Sequence, residues 1–118
     1  MNKQLLGATG EEYVSRYLKV RGVTVIDRNW RIKAGELDLI AKSEEGLYIF
    51  VEVKSRSSRK YGDPLEAITP IKAHRLQKLA LAWLATHGAL GSDYRIDCAG
   101  VLLTSDGRQE IDYRAGVL

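Results

Sequence analysis

Apolar residues recur along the chain with two different periods. Between residues 10 and 21, Tyr13, Val14, Tyr17, Leu18 and Val20 share one broad face at helical spacing, and Gly22 supplies a C-terminal stop. The pattern predicts a helix over 10–21, with Thr9 as its N-cap and Glu12 as the capping-box partner. On this helix Glu11 falls at the edge of the apolar face, whereas Glu12 points toward solvent. Val23 to Asp27 reads as a short strand, and Arg28-Asn29-Trp30-Arg31 leads into a Lys33-Ala34-Gly35 turn. Glu36 to Ile40 alternates, which predicts Glu36 and Asp38 on one strand face and Leu37 and Leu39 on the other. After a Ser43-Glu44-Glu45-Gly46 turn, Leu47 to Lys54 is rich in β-branched and aromatic residues. Ile49, Val51 and Val53 should face one way, and Tyr48, Phe50, Glu52 and Lys54 the other.

Residues 55–69 are polar and irregular. Thr69-Pro70 then fits an N-cap followed by proline at the first helical position, and Leu76, Leu79, Ala80, Trp83 and Leu84 form a helical stripe that ends at Gly88. Lys72, one turn before Leu76, falls on the same inward face. Strands over Tyr94 to Leu103 and Gln109 to Tyr113 are joined by Asp106-Gly107, a strong hairpin signal. The order α-β-β-β-α-β-β predicts an α/β fold, with a central mixed sheet flanked by helices.

The length of 118 residues suits a single domain spanning 1–118. With 45% hydrophobic and 28% charged residues and only 2 prolines, the composition is that of a soluble globular protein and not a disordered or fibrous chain. One cysteine, Cys98, excludes an intramolecular disulfide and any site built from several thiolates, so a cytoplasmic location is the simplest expectation. No apolar run reaches the length of a signal peptide or membrane span, and no membrane partner is expected. The net charge is +3, but its distribution is uneven: from Lys54 to Lys78 there are seven basic residues against two acids. Such a band suits a polyanionic partner, although a solvated surface is the commoner origin of a charge run.

Candidate chemistry arises where charges interrupt an apolar strand. Glu52 and Lys54 follow Ile49-Phe50-Val51, and an acid placed there costs several kcal/mol unless it is paired or coordinates a metal. Asp38, on the neighbouring strand, is also an acid. Two close carboxylates repel, so one is driven toward protonation unless a cation lies between them. Oxygen ligands without accompanying cysteine or histidine favour Mg2+ or Mn2+. A metal held by Asp38 and Glu52, with Lys54 beside it, has the components for phosphodiester hydrolysis, and Glu11 could reach the site from the helix margin. The same residues admit a plainer arrangement, with Glu52 and Lys54 as a same-face salt bridge and Asp38 as a strand-end carboxylate.

Gly10-Glu11, Asn29-Trp30-Arg31, Gly35-Glu36-Leu37-Asp38-Leu39-Ile40-Ala41, Phe50-Val51-Glu52-Val53-Lys54-Ser55-Arg56, Tyr61-Gly62-Asp63-Pro64 and the stretch from Lys72 to Leu76 occur in one order. Together they resemble the YraN-like endonuclease family, related in fold to archaeal Holliday junction resolvases and to PD-(D/E)xK restriction endonucleases. The resemblance runs from about Leu6 to Val101. It implies a restriction-endonuclease-like core, with Asp38 and Glu52 as metal ligands and the Val53 backbone carbonyl as a further ligand. Lys54 would be the catalytic lysine and Glu11 the helix-borne acid. Leu37 replaces the proline that names the motif, and Ser55 stands where the family often has threonine.

Other residues take supporting roles under this reading. Arg56, Arg59 and Lys60 would contact a DNA backbone, as would Lys72 and Arg75. The last two lie near a helix N-terminus, where they oppose the macrodipole and where a phosphate would offset them. Trp30 and Trp83 read as core or core-edge packing, His74 and His87 as surface groups, and Asp97 as the ion-pair partner of Arg95. The expected function is metal-dependent cleavage of DNA, branched or otherwise structured; cutting two strands would call for a homodimer. A non-catalytic nucleic-acid-binding module with the same fold is the alternative, and an interaction domain without a nucleic-acid role is a third.

Overall fold

A computed structural model describes residues 2–58 and 69–118. Helix α1 (Lys3–Val20) precedes three strands, β1 (Val23–Ile32), β2 (Gly35–Ser43) and β3 (Tyr48–Arg56); helix α2 (Pro70–Thr86) leads to β4 (Tyr94–Leu103) and β5 (Gln109–Arg114). The strands form one five-stranded sheet in sequence order. β3 and β4 pair in parallel, and the other neighbours are antiparallel. The sheet is thus mixed and flanked by helices, as the sequence pattern predicts. A parallel pair requires a crossover, and α2 lies within it.

Alternation along β3 divides the core between the two sheet faces. Ile49 and Val51 join Val14 and Leu18 of α1, with Ala99 and Val101 of β4, in one apolar cluster. Phe50 joins Leu76, Leu79, Ala80, Trp83 and Leu84 of α2 in the other. Thr69 caps α2, its hydroxyl accepting from the Lys72 N–H at 3.2 Å, and Pro70 opens the helix. Trp30 packs against the α2-side cluster, as expected for core-edge packing. Among the described residues, no helix is long and apolar enough to cross a membrane.

Four local expectations are corrected. α1 begins at Lys3, with Asn2 as its N-cap accepting from the Leu5 N–H at 2.7 Å, so Thr9 lies inside the helix. The first two turns carry little apolar periodicity to reveal them. Val20, expected on the apolar face, is 84% exposed at the helix end. β1 continues through Arg28–Arg31 to Ile32; at a sheet edge its polar side chains conceal the strand period. Leu37 and Leu39 do not share a face: Leu37 packs on the α2 side and Leu39 on the α1 side. The alternation breaks at Asp38, whose carboxylate turns toward β3.

The mid-helix glycine of α1 has a packing cause. A Cβ on Gly10 would lie 1.9 Å from Ser55 Oγ and 3.1 Å from Ser55 Cβ. Gly10 therefore lets α1 settle against the end of β3, bringing the next residue, Glu11, to the same end of the sheet.

Candidate active site

The site is built where β2 and β3 separate. Their pairing runs from Lys42 opposite Tyr48 to Leu39 opposite Val51 and goes no further, although β3 stays paired with β4 as far as Arg56. Beyond Leu39 the Asp38 side chain takes over: Oδ2 accepts the Val53 N–H at 2.8 Å. A strand residue directs its N–H and C=O to the same side, so the Val53 carbonyl also faces the opening between β2 and β3.

Asp38 and Glu52 meet there. Burial, followed by repulsion from Glu52, pushes the Asp38 carboxyl up to about 8; the Val53 N–H opposes this shift, and Glu11 adds to it. Lys54 Nζ lies 3.3 Å from Glu52 Oε1, so the same-face ion pair expected from strand spacing is present. Glu11 reaches the opposite margin from α1. Its carboxyl is raised by burial and by repulsion from Glu36 and Glu52, while the Asn29 side-chain amide and Arg28 favour its charged form. Glu36 accepts from Arg31 Nε at 2.9 Å.

On the α2 side, Glu36, Glu52 and Lys54 border a cavity of about 260 Å³, closed by Lys72, Arg75 and Leu76 of α2. Lys72 thus occupies the inward face expected for it. Two carboxylates and three cations share this space, and the cations arrive from two separate elements. Arg56 ends β3 and donates to the Ser55 carbonyl at 3.3 Å; it does not border the cavity. Arg59 and Lys60 lie outside the described residues.

The donor set suits a hard divalent cation. Asp38 and Glu52 would supply oxygen ligands, and a cation there would offset the burial and the Glu52 repulsion that raise the Asp38 carboxyl. Among the described residues, no group of three or more His, Cys, Asp or Glu side chains is arranged to hold a metal. The other ligands to an ion at Asp38 and Glu52 would thus include the Val53 carbonyl, water and substrate oxygens.

Two site features escape sequence patterning. Asn29 has φ 51°, the one positive value at a non-glycine among the described residues. This conformation lets Arg28 and Asn29 both turn toward α1, while Trp30 packs on the α2 side. An Asn within a strand is the available sequence signal, since Asn tolerates left-handed backbone better than most residues. Cys98 lies opposite Glu52 on β4, fully enclosed, and burial and the nearby Glu52 push its thiol up to about 11. Asp97, by contrast, is structural. It accepts from Arg95 Nε at 2.8 Å and the Gly116 N–H at 2.9 Å, and also from the Tyr113 hydroxyl.

Relatives share this chain over nearly its full length. A UPF0102 protein of Beutenbergia cavernae is 46% identical over 115 residues, covering 98% of this chain and 97% of the relative. Another from Leifsonia xyli subsp. xyli is 43% identical, with 98% of each chain covered. Among solved structures, SfsA of Pyrococcus furiosus, in complex with Ca2+, aligns with a TM-score of 0.45 at 20% identity, covering 98% of this chain and 64% of that one. The family model described as "Uncharacterised protein family UPF0102" matches residues 10–101, and the chain belongs to that family.

Proposed function

We propose that this protein is a metal-dependent endonuclease with a restriction-endonuclease-like core, hydrolysing phosphodiester bonds in DNA, branched or structured DNA included. The observation that carries the reading is the opening of the β2/β3 ladder at Asp38, which sets two carboxylates and the Val53 carbonyl beside Lys54. Asp38, Glu52 and the Val53 carbonyl would hold Mg2+ or Mn2+. When bound, the ion supplies Lewis-acid chemistry, polarising a phosphoryl oxygen and favouring a water nucleophile near neutral pH.

The chain's own groups perform the remaining work. The Lys54 ammonium is a compact point charge, oriented by Glu52, that offsets negative charge developing on the phosphoryl group. Lys72 and Arg75 neutralise the phosphate entering the cavity, aided by the N-terminal end of α2. Glu11, half-buried with a raised carboxyl, is the acid on the α1 side able to exchange a proton with water.

Cleavage of labelled linear, single-stranded, flap and four-way-junction DNA in Mg2+ or Mn2+ tests the proposal. Wild-type cleavage that disappears with Glu52→Ala supports it; cleavage retained by that variant overturns it. A second reading, a non-catalytic nucleic-acid-binding module, is favoured by the Lys54–Glu52 pair, which gives both charges a partner without a metal. Binding without cleavage across the panel would establish that alternative.

A further inference from the structure

A second cavity, of about 360 Å³, lies on the other side of the sheet opening, between the N-terminal half of α1, the C-terminal end of β1 and the start of β2. It is continuous in its walls with the site already described. Glu36 borders both cavities, and Glu11 borders the second while acting electrostatically on Asp38. A polyanionic chain whose phosphate lay at Lys54, Lys72 and Arg75 would meet this second space on crossing the opening.

The walls have a distinct chemistry. Lys3 and Arg31 supply positive charge and Glu11 and Glu36 negative charge, Arg31 being paired with Glu36, so Lys3 is the wall's outlying cation, and Gln4 and Asn29 add side-chain amides. Among the described residues no aromatic ring borders the cavity, so it provides hydrogen bonds and charge in place of a stacking platform. Gly7 and Ala8 form the α1 side, and a Cβ placed on Gly7 would meet nothing within 4 Å. The space over Gly7 is therefore open, and Asn29, with its left-handed backbone, borders the same cavity with its amide on Glu11.

We propose that this second cavity is a nucleotide subsite, receiving the sugar and base next to the phosphate held at Lys54, Lys72 and Arg75. The subsite rests on the nuclease reading and extends it: the substrate strand crosses the sheet opening, with its phosphate on the α2 side and the neighbouring nucleotide on the α1 side. Gln4 and Asn29 hydrogen-bond the nucleotide, and Lys3 neutralises the phosphate beyond it. Because the Gln4 amide can rotate to present either donor or acceptor, while Asn29 donates to Glu11 and offers its carbonyl, the subsite should accept more than one base.

Gly7→Leu places a bulky side chain in the open space over Gly7 while leaving the charged groups of both cavities in place. Its Kd for a labelled single-stranded oligonucleotide, read by fluorescence anisotropy at low salt, should rise about tenfold. Inorganic phosphate, needing only the α2-side cations, should compete with the oligonucleotide for wild type and inhibit Gly7→Leu binding at the same phosphate concentrations. Gln4→Ala, which adds no bulk, should weaken oligonucleotide binding severalfold, and circular dichroism melting checks the fold of each variant. Wild-type affinity in folded Gly7→Leu and Gln4→Ala overturns the subsite while leaving the nuclease proposal standing. Failure of wild type to bind or cleave any nucleic acid overturns both.

Discussion

The Val53 amide donates to Asp38 Oδ2 at 2.8 Å, at the point where β2 and β3 cease to pair. A side chain replaces the backbone acceptor that a continuing strand would provide, and the same carboxylate is raised to about 8, chiefly by burial and then by Glu52. Its ordinary value is 3.8, so the folded protein holds this proton over a range where the unfolded chain has released it.

Without a divalent ion, stability should accordingly fall as pH rises from about 4 to about 8. The stabilisation linked to the proton is complete below the unfolded value and is lost as pH passes through the folded one. Melting temperatures across this interval should decline more steeply for wild type than for Asp38→Asn, which cannot ionise. Parallel declines would show that Asp38 does not retain the proton.

A cation should reverse that loss. At pH 8, Mg2+ or Mn2+ at ten times its Kd should stabilise wild type by about 1.4 kcal/mol, and neither Asp38→Asn nor Glu52→Gln should gain as much. Calorimetric melting with and without the ion measures the difference directly. Equal gains in all three proteins would place the ion elsewhere.

Salt dependence distinguishes phosphate contacts from a merely solvated surface. Lys72→Ala and Arg75→Ala should each weaken DNA binding and reduce the slope of log K against log salt by about 1. Titrations at several salt concentrations give the slopes, and unchanged slopes would remove both residues from the interface.

Packing at the base of α1 is testable apart from function. Gly10→Ala should destabilise by about 1 kcal/mol, because the contact with Ser55 outweighs the helix-propensity gain. Ser55→Ala alone should be neutral or slightly stabilising, since its buried Oγ has no hydrogen-bond partner. Combining the substitutions should recover part of the Gly10→Ala loss, and denaturant unfolding of the double-mutant cycle reads that coupling.

The sequence made the strand faces of Phe50, Glu52 and Lys54 legible because strong alternation on β3 leaves one arrangement that buries the apolar set. Thr69-Pro70 and Asp106-Gly107 likewise marked a helix start and a hairpin through local chemistry. The break at Asp38 was not legible, because the departure from alternation depends on a hydrogen bond to a residue 15 positions away. Asn2 capping and the first turns of α1 were concealed by weak amphipathicity. The Asn29–Glu11 relationship depended on a backbone dihedral that residue spacing does not encode.

The parallel pairing of β3 with β4 also bears on the order of assembly. The acids lie on α1, β2 and β3, which short connections join, whereas Lys72 and Arg75 lie on the crossover that must close before β4 can dock. Loop closure over that longer separation is entropically slower than forming neighbouring hairpins. The negative half of the site should therefore emerge first during folding and acquire its positive wall only when the crossover closes. Pulse-labelled hydrogen exchange should protect the β2–β3 amides before those of β4; simultaneous protection would show that the two halves form together.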